Sequence, residues 1–99
     1  RLEAIDARCI DEGQRLVLLC LRVNSPVGEV SEATGVGTDL LRSVVRGQDA
    51  LTEGQQTRVG AWLAVVWLRH AERCGEAVAS EEWDDALTTA ARLGVEVRR

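Results

Sequence analysis

The sequence predicts an all-α protein, a small bundle of five or six helices, and three observations carry that prediction. Apolar residues recur three and four positions apart along most of the chain, the spacing that lines one face of a helix. Glycine or a short polar cluster interrupts this pattern about once per helix length. Before the last five residues nothing alternates apolar and polar, so no segment reads as a strand.

The 99 residues are expected to form a single helical domain, 1–99, because a second independent core has no room. A hydrophobic share of 45% is ordinary for a globular chain, so folding needs neither disulfides nor metal. The longest apolar run, Ala61 to Leu68, is too short to span a bilayer. No signal peptide is visible, and Arg1 in place of a starting methionine reads as a trimmed or excised domain. Cys9, Cys20 and Cys74 are an odd set with no CxxC spacing, which favours a reducing, cytoplasmic setting over a disulfide framework. His70 and Cys74 share a helix face, yet no second ligand pair has matching spacing, so no metal or other cofactor is expected.

Each helix can be placed in turn. Leu2, Ile5 and Cys9 mark a first one, which Gly13 is expected to end or bend. The run QRLVLLCLRV from Gln14 to Val23 is apolar on nearly every face and should be mostly buried. Ser25 can cap the next helix, with Pro26 in its first turn. That helix, Val27 to Thr34, stops at Gly35. Another runs from about Gly37 to Val45, closed by Gly47. Thr52 and Gln55 form a capping box that opens a long helix to about Cys74, where Gly75 breaks it. Ser80 is expected to cap the last helix, whose first turn, EEWDD, is acidic as the helix dipole favours. Residues 76–99 thus hold the last helix and a tail. After Gly94, VEVRR is expected to be extended or disordered.

The feature that carries function is the pair of short helices within residues 25–47, a helix-turn-helix. Gly35 supplies a left-handed turn and Val36 plugs the space between the helices. Val30, Leu41 and Val44 point inward, while Thr38, Asp39, Arg42, Ser43 and Arg46 share the outer face of the second helix. A helix so presented fits the major groove of double-stranded DNA. Arg42 would read guanine, Arg46 a phosphate or base, Thr38 or Asp39 a methyl group or cytosine amine, and Ser43 a phosphate.

The stretch EVSEATGVGTDLLRSVVRGQ resembles the helix-turn-helix of the Xre or lambda-repressor-like family. The likeness rests on the Val-Ser-Glu-Ala helix, Gly35-Val36 at the turn, Leu41 and Val44 as core points, and the closing Arg46-Gly47 pair. QRLVLLCLRV fits the family's first helix, and the capped helix from Thr52, with Val59 and Leu63 inward, fits its fourth, so the likeness spans about 14–68. It implies a bundle that binds operator DNA, usually as a dimer, to repress or regulate transcription in a bacterium or phage.

Charge qualifies this. All 12 basic residues are arginine and the formal charge is -4, so any positive face must come from few side chains. Over residues 25–58 the arginines are 42, 46 and 58, against carboxylates at 29, 32, 39, 49 and 53. A protein-binding helix-turn-helix, such as an antitoxin or a phage accessory or assembly factor, is the alternative, and apolar Leu40 and Val45 on the outer face would suit it. The helix GAWLAVVWLRH is apolar on more than one face; Trp62, Val66 and Trp67 are expected either inside the bundle or at a homodimer interface. Catalysis is not expected. Glu81, Glu82, Asp84 and Asp85 crowd together only where a helix start favours acids, and no nucleophile or phosphate loop stands out.

Overall fold

The computed structural model describes residues 11–97, and these form five helices with no strand among the described residues. They are α1 (Glu12–Arg22), α2 (Val27–Thr34), α3 (Thr38–Val45), α4 (Glu53–Arg73) and α5 (Ser80–Arg92). The all-α class is the one the periodicity predicts. The helix expected around Leu2, Ile5 and Cys9 lies outside the described residues. No described helix is long and apolar enough to cross a membrane.

Helix α1 begins one turn earlier than its apolar pattern. The Asp11 carboxylate accepts the Gln14 amide at 2.8 Å and caps the helix. Gly13, expected to end or bend the helix before it, sits in the first turn of α1. A Cβ there would lie 3.3 Å from Leu51, so the missing side chain lets the helix lie flush on that residue.

Helix α4 is the hub, packing against α1, α2 and α5. Thr52 and Gln55 form the expected capping box at its start. Its inner side chains Val59 and Val65 join one buried cluster with Val17 and Cys20 of α1, Val30 of α2 and Leu41 and Val44 of α3, all inaccessible to solvent. Burying each such aliphatic side chain contributes about 1.5–3 kcal/mol. Leu63, expected inward, is only partly buried. Trp62 and Val66 are 2% and 3% exposed, so they belong to this core and cannot meet a second molecule. Of the three residues assigned to an interface, only Trp67 remains on the surface.

Trp62 also closes a polar ring. Its indole N–H donates to Ser25 Oγ at 2.9 Å, Ser25 donates to Glu29 at 3.2 Å, and Glu29 lies 4.0 Å from the Arg69 guanidinium. That guanidinium stacks 5.2 Å from the Trp62 ring centre, within range of a cation–π attraction. This occupation explains why Ser25 does not cap α2: its hydroxyl is fully buried and held by the indole. The N-cap is Pro26, which has no side-chain oxygen to offer. The last helix differs from expectation in a similar way. Its N-cap is Ala79, one residue before Ser80, and the Glu82 carboxylate reaches back to accept the Ala79 amide at 3.2 Å.

The tail packs on the bundle outside any helix. After Gly94 the chain turns back, Val95 is 5% exposed, and the Glu96 amide donates to the Ala33 carbonyl at 2.9 Å. Residues 95–97 are docked on the bundle because Val95 and Val97 find apolar surface there. Arg98 and Arg99 lie outside the described residues.

Cys20 is buried, and burial first, then the negative charge of Glu29, pushes its thiol up from 9.0 to about 12. Between those two values the folded chain holds a proton that the unfolded chain releases, so stability contributed by this thiol falls as pH rises from 9 towards 12. Native protein at pH 8 should accept iodoacetamide at exposed Cys74 and not at Cys20, as read by peptide mass spectrometry. Ser25→Ala leaves the Trp62 indole N–H buried without an acceptor, and urea unfolding should show a loss of about 1–3 kcal/mol.

Candidate nucleic-acid interface

The two short helices predicted within residues 25–47 are α2 and α3, joined by Gly35, Val36 and Gly37. An eight-residue helix is marginal alone, so contacts from outside must hold each one. Gly35 takes the left-handed conformation at φ 77, and its amide donates to the Ser31 carbonyl at 2.8 Å. Val36 is 1% exposed and fills the space between the helices as expected. Thr34 is buried but locally satisfied, donating to the Val30 carbonyl at 2.6 Å and accepting the Val36 amide at 3.3 Å.

The end of α2 is sealed by distant parts of the chain. Arg58 Nε of α4 donates to the Thr34 carbonyl at 3.0 Å, beside the bond from Glu96 to Ala33. Helix α3 is fixed as firmly. Leu41 and Val44 are fully buried beneath it. Its terminal carbonyls are all taken: Arg42 by the Arg46 amide, Ser43 by Gln48, Val44 by Gly47, and Val45 by the Gln14 side chain at 3.1 Å. The result is a short helix with little freedom to move on its support.

Its outward face carries all five residues expected there. Asp39, Arg42 and Arg46 are exposed, while Thr38 and Ser43 are half-buried. Positions 39, 42, 43 and 46 follow the three- and four-residue steps of one helix stripe, opposite Leu41 and Val44. Asp39 lies 3.7 Å from the Arg42 guanidinium, and Arg46 donates to Ser43 at 3.3 Å and to Gln48 at 3.2 Å. Contacts of this exposed kind are weak and screened by salt, so both arginines are aligned without being withheld. Leu40 and Val45 are not on this face: both are partly buried against the core.

Sequence reasoning missed Gln14, Arg58 and Gln48. Gln14 looked like one end of an apolar run, and no spacing links it to Val45, 31 positions away. Arg58 had no visible partner for the same reason. Gln48 was within reach of inspection, two residues beyond Arg46 on the closing turn. Elsewhere, Cys74 Sγ lies 3.7 Å from His70 Nε2 at the exposed end of α4. No group of three or more His, Cys, Asp or Glu among the described residues is placed to hold a metal ion.

Gly35→Ala strains the turn at positive φ and should lower stability by about 1–2 kcal/mol. Gly37→Ala, at φ -61 with open space around it, should stay within about 0.5 kcal/mol in the same urea titration.

No protein-family model, curated protein or solved structure matches this chain.

Proposed function

We propose that the chain is a sequence-reading DNA-binding protein, a transcriptional repressor or regulator of a bacterium or phage, with α3 as the helix that enters the major groove. One observation carries the reading: an eight-residue helix, locked on its inner face and at its C-terminus, presents Asp39, Arg42, Ser43 and Arg46 as one outward stripe. Such a support keeps side chains in register with base edges and limits the ordering cost of binding.

In this reading Arg42 leaves Asp39 and donates both guanidinium arms to O6 and N7 of a guanine. Asp39, freed from it, accepts the amine of a neighbouring cytosine, and Thr38 meets a thymine methyl. Arg46 and Ser43 hold phosphates and fix the register. Glu81, Glu82, Asp84 and Asp85, four of the 16 acidic residues, belong to a different helix, α5. The likeness of residues 14–68 to the Xre or lambda-repressor-like family points the same way. The role is binding and not catalysis, in the cytoplasm, where free Cys20 and Cys74 would stay reduced.

A second reading, a protein-binding module, has one observation in its favour. A hollow of about 270 Å³ beside α2 is lined by Glu29, Glu32 and Glu96 together with Trp62 and one cation, Arg69, a net negative lining that would suit a basic protein segment better than a phosphate backbone.

Selection from fragmented genomic DNA at two salt concentrations separates the two. A recurrent site whose affinity falls as salt rises is the expected result; no enrichment at low salt would sink the DNA reading. On the recovered site, Arg42→Ala should weaken binding by about 1–3 kcal/mol and relax base preference at one position.

A further inference from the structure

We propose that the groove between α4 and α5 docks an amphipathic helix of another protein, one whose apolar stripe is flanked by lysine or arginine. The groove has a volume of about 700 Å³, and the spacing of the residues that line it is what selects a helix. From α4 these are Thr57, Gly60, Ala61, Ala64, Trp67 and Leu68. From α5 and its C-cap they are Glu82, Asp85, Ala86, Thr89, Arg92 and Leu93. Both sets advance by the same steps of three, one, three, three and one, the stripe with which one helix meets a neighbouring helix.

Each stripe covers about three helical turns, about 16 Å. The floor between them is small: Ala61 and Ala86 are 7% and 9% exposed, and Gly60 has no side chain. Small residues allow a third helix axis to approach within the spacing of ordinary helix packing, about 8–10 Å. Larger apolar groups stand around the floor. Trp67 is 39% exposed, and Leu68 and Leu93 are partly buried. Tryptophan so placed is a common anchor in interfaces. A lone strand or loop would lay unpaired backbone groups over this apolar floor, whereas a helix satisfies its own.

Charge decides what the incoming helix carries. Glu82 and Asp85 line the groove where α5 begins, and Glu81 and Asp84 are exposed beside them. Arg92, the one cation in the lining, belongs to the opposite end of α5. Lysine or arginine flanking an apolar stripe therefore complements the acidic end, and glutamate there would meet like charge. The groove lies on α4 and α5, apart from the outward stripe of α3, so the proposal stands whether or not that stripe reads DNA.

The probe is a pair of synthetic helical peptides of about 18 residues, alike in a leucine stripe and differing in flanking lysine or glutamate. Amide NMR of the intact, isotope-labelled chain reads their binding residue by residue. The lysine peptide should bind with micromolar affinity and shift the amides of Gly60, Ala64 and Thr89. The glutamate peptide should bind about tenfold more weakly. Ala64→Arg, at an exposed position, should weaken the lysine peptide by about tenfold or more, with circular dichroism showing the helices retained. Asp85→Lys should cut the lysine peptide's advantage over the glutamate peptide by about threefold, which a loss of packing alone would not do. No shifts, shifts away from the groove, equal binding of the two peptides, or indifference to Ala64→Arg would overturn the proposal. So would self-association of the chain alone, read by sedimentation equilibrium, that shuts out the lysine peptide, since it would give the groove to a second copy.

Discussion

The buried indole of Trp62 decides how the rest of the molecule is arranged. A side chain this large must lie in the middle of so small a core, yet its N–H must find an acceptor there. The acceptor is Ser25, at the junction of α1 and α2. Satisfying one polar atom thus fixes where α2 starts relative to α4, and Glu29 and Arg69 close the ring around it. Buried networks of this kind are stable when every member is satisfied. Among the described residues no buried side-chain polar atom is left without a partner.

From that anchor the short helices inherit their positions. Helix α2, set by Ser25, carries the turn at Gly35 and so the approach of α3. Contacts from α1, α4 and the tail then tie off the backbone carbonyls at the ends of α2 and α3. The stripe from Asp39 to Arg46 is therefore placed by atoms spread over most of the described chain. Its own residues contribute little to holding it there.

The elements legible in the sequence were those whose cause is local. Thr52 and Gln55 announce the start of α4 because both halves of a capping box lie three residues apart. Gly47, Gly75 and Gly94 mark helix ends where each chain reversal is made within a few residues. Leu41 and Val44 show their inward side by spacing alone, and the same spacing places Asp39, Arg42 and Arg46 outward. Where sequence reasoning failed, the deciding partner lay far along the chain. Ser25 has the chemistry of a cap, but an indole 37 positions away claims its hydroxyl. Trp62 and Val66 share an apolar helix with Trp67, and periodicity cannot say which of its faces α1 and α2 will cover. Val95 looked like part of a loose end because the surface that buries it is assembled from other helices.

The bond from Glu96 to Ala33 has a consequence for the order in which the chain can be completed. During synthesis, α2, the turn and α3 leave the ribosome long before residue 96 exists. Until then the Ala33 carbonyl lacks the amide that closes it, and Val95 is missing from its place in the core. The two-helix unit lacks these two contacts while it is a vectorial intermediate. It waits for a contact spanning 63 positions, and contacts of such separation slow folding. A ribosome-bound nascent chain halted before residue 95 would carry an unfinished α2, exposed to chaperones and proteases at the segment on which the outward stripe depends.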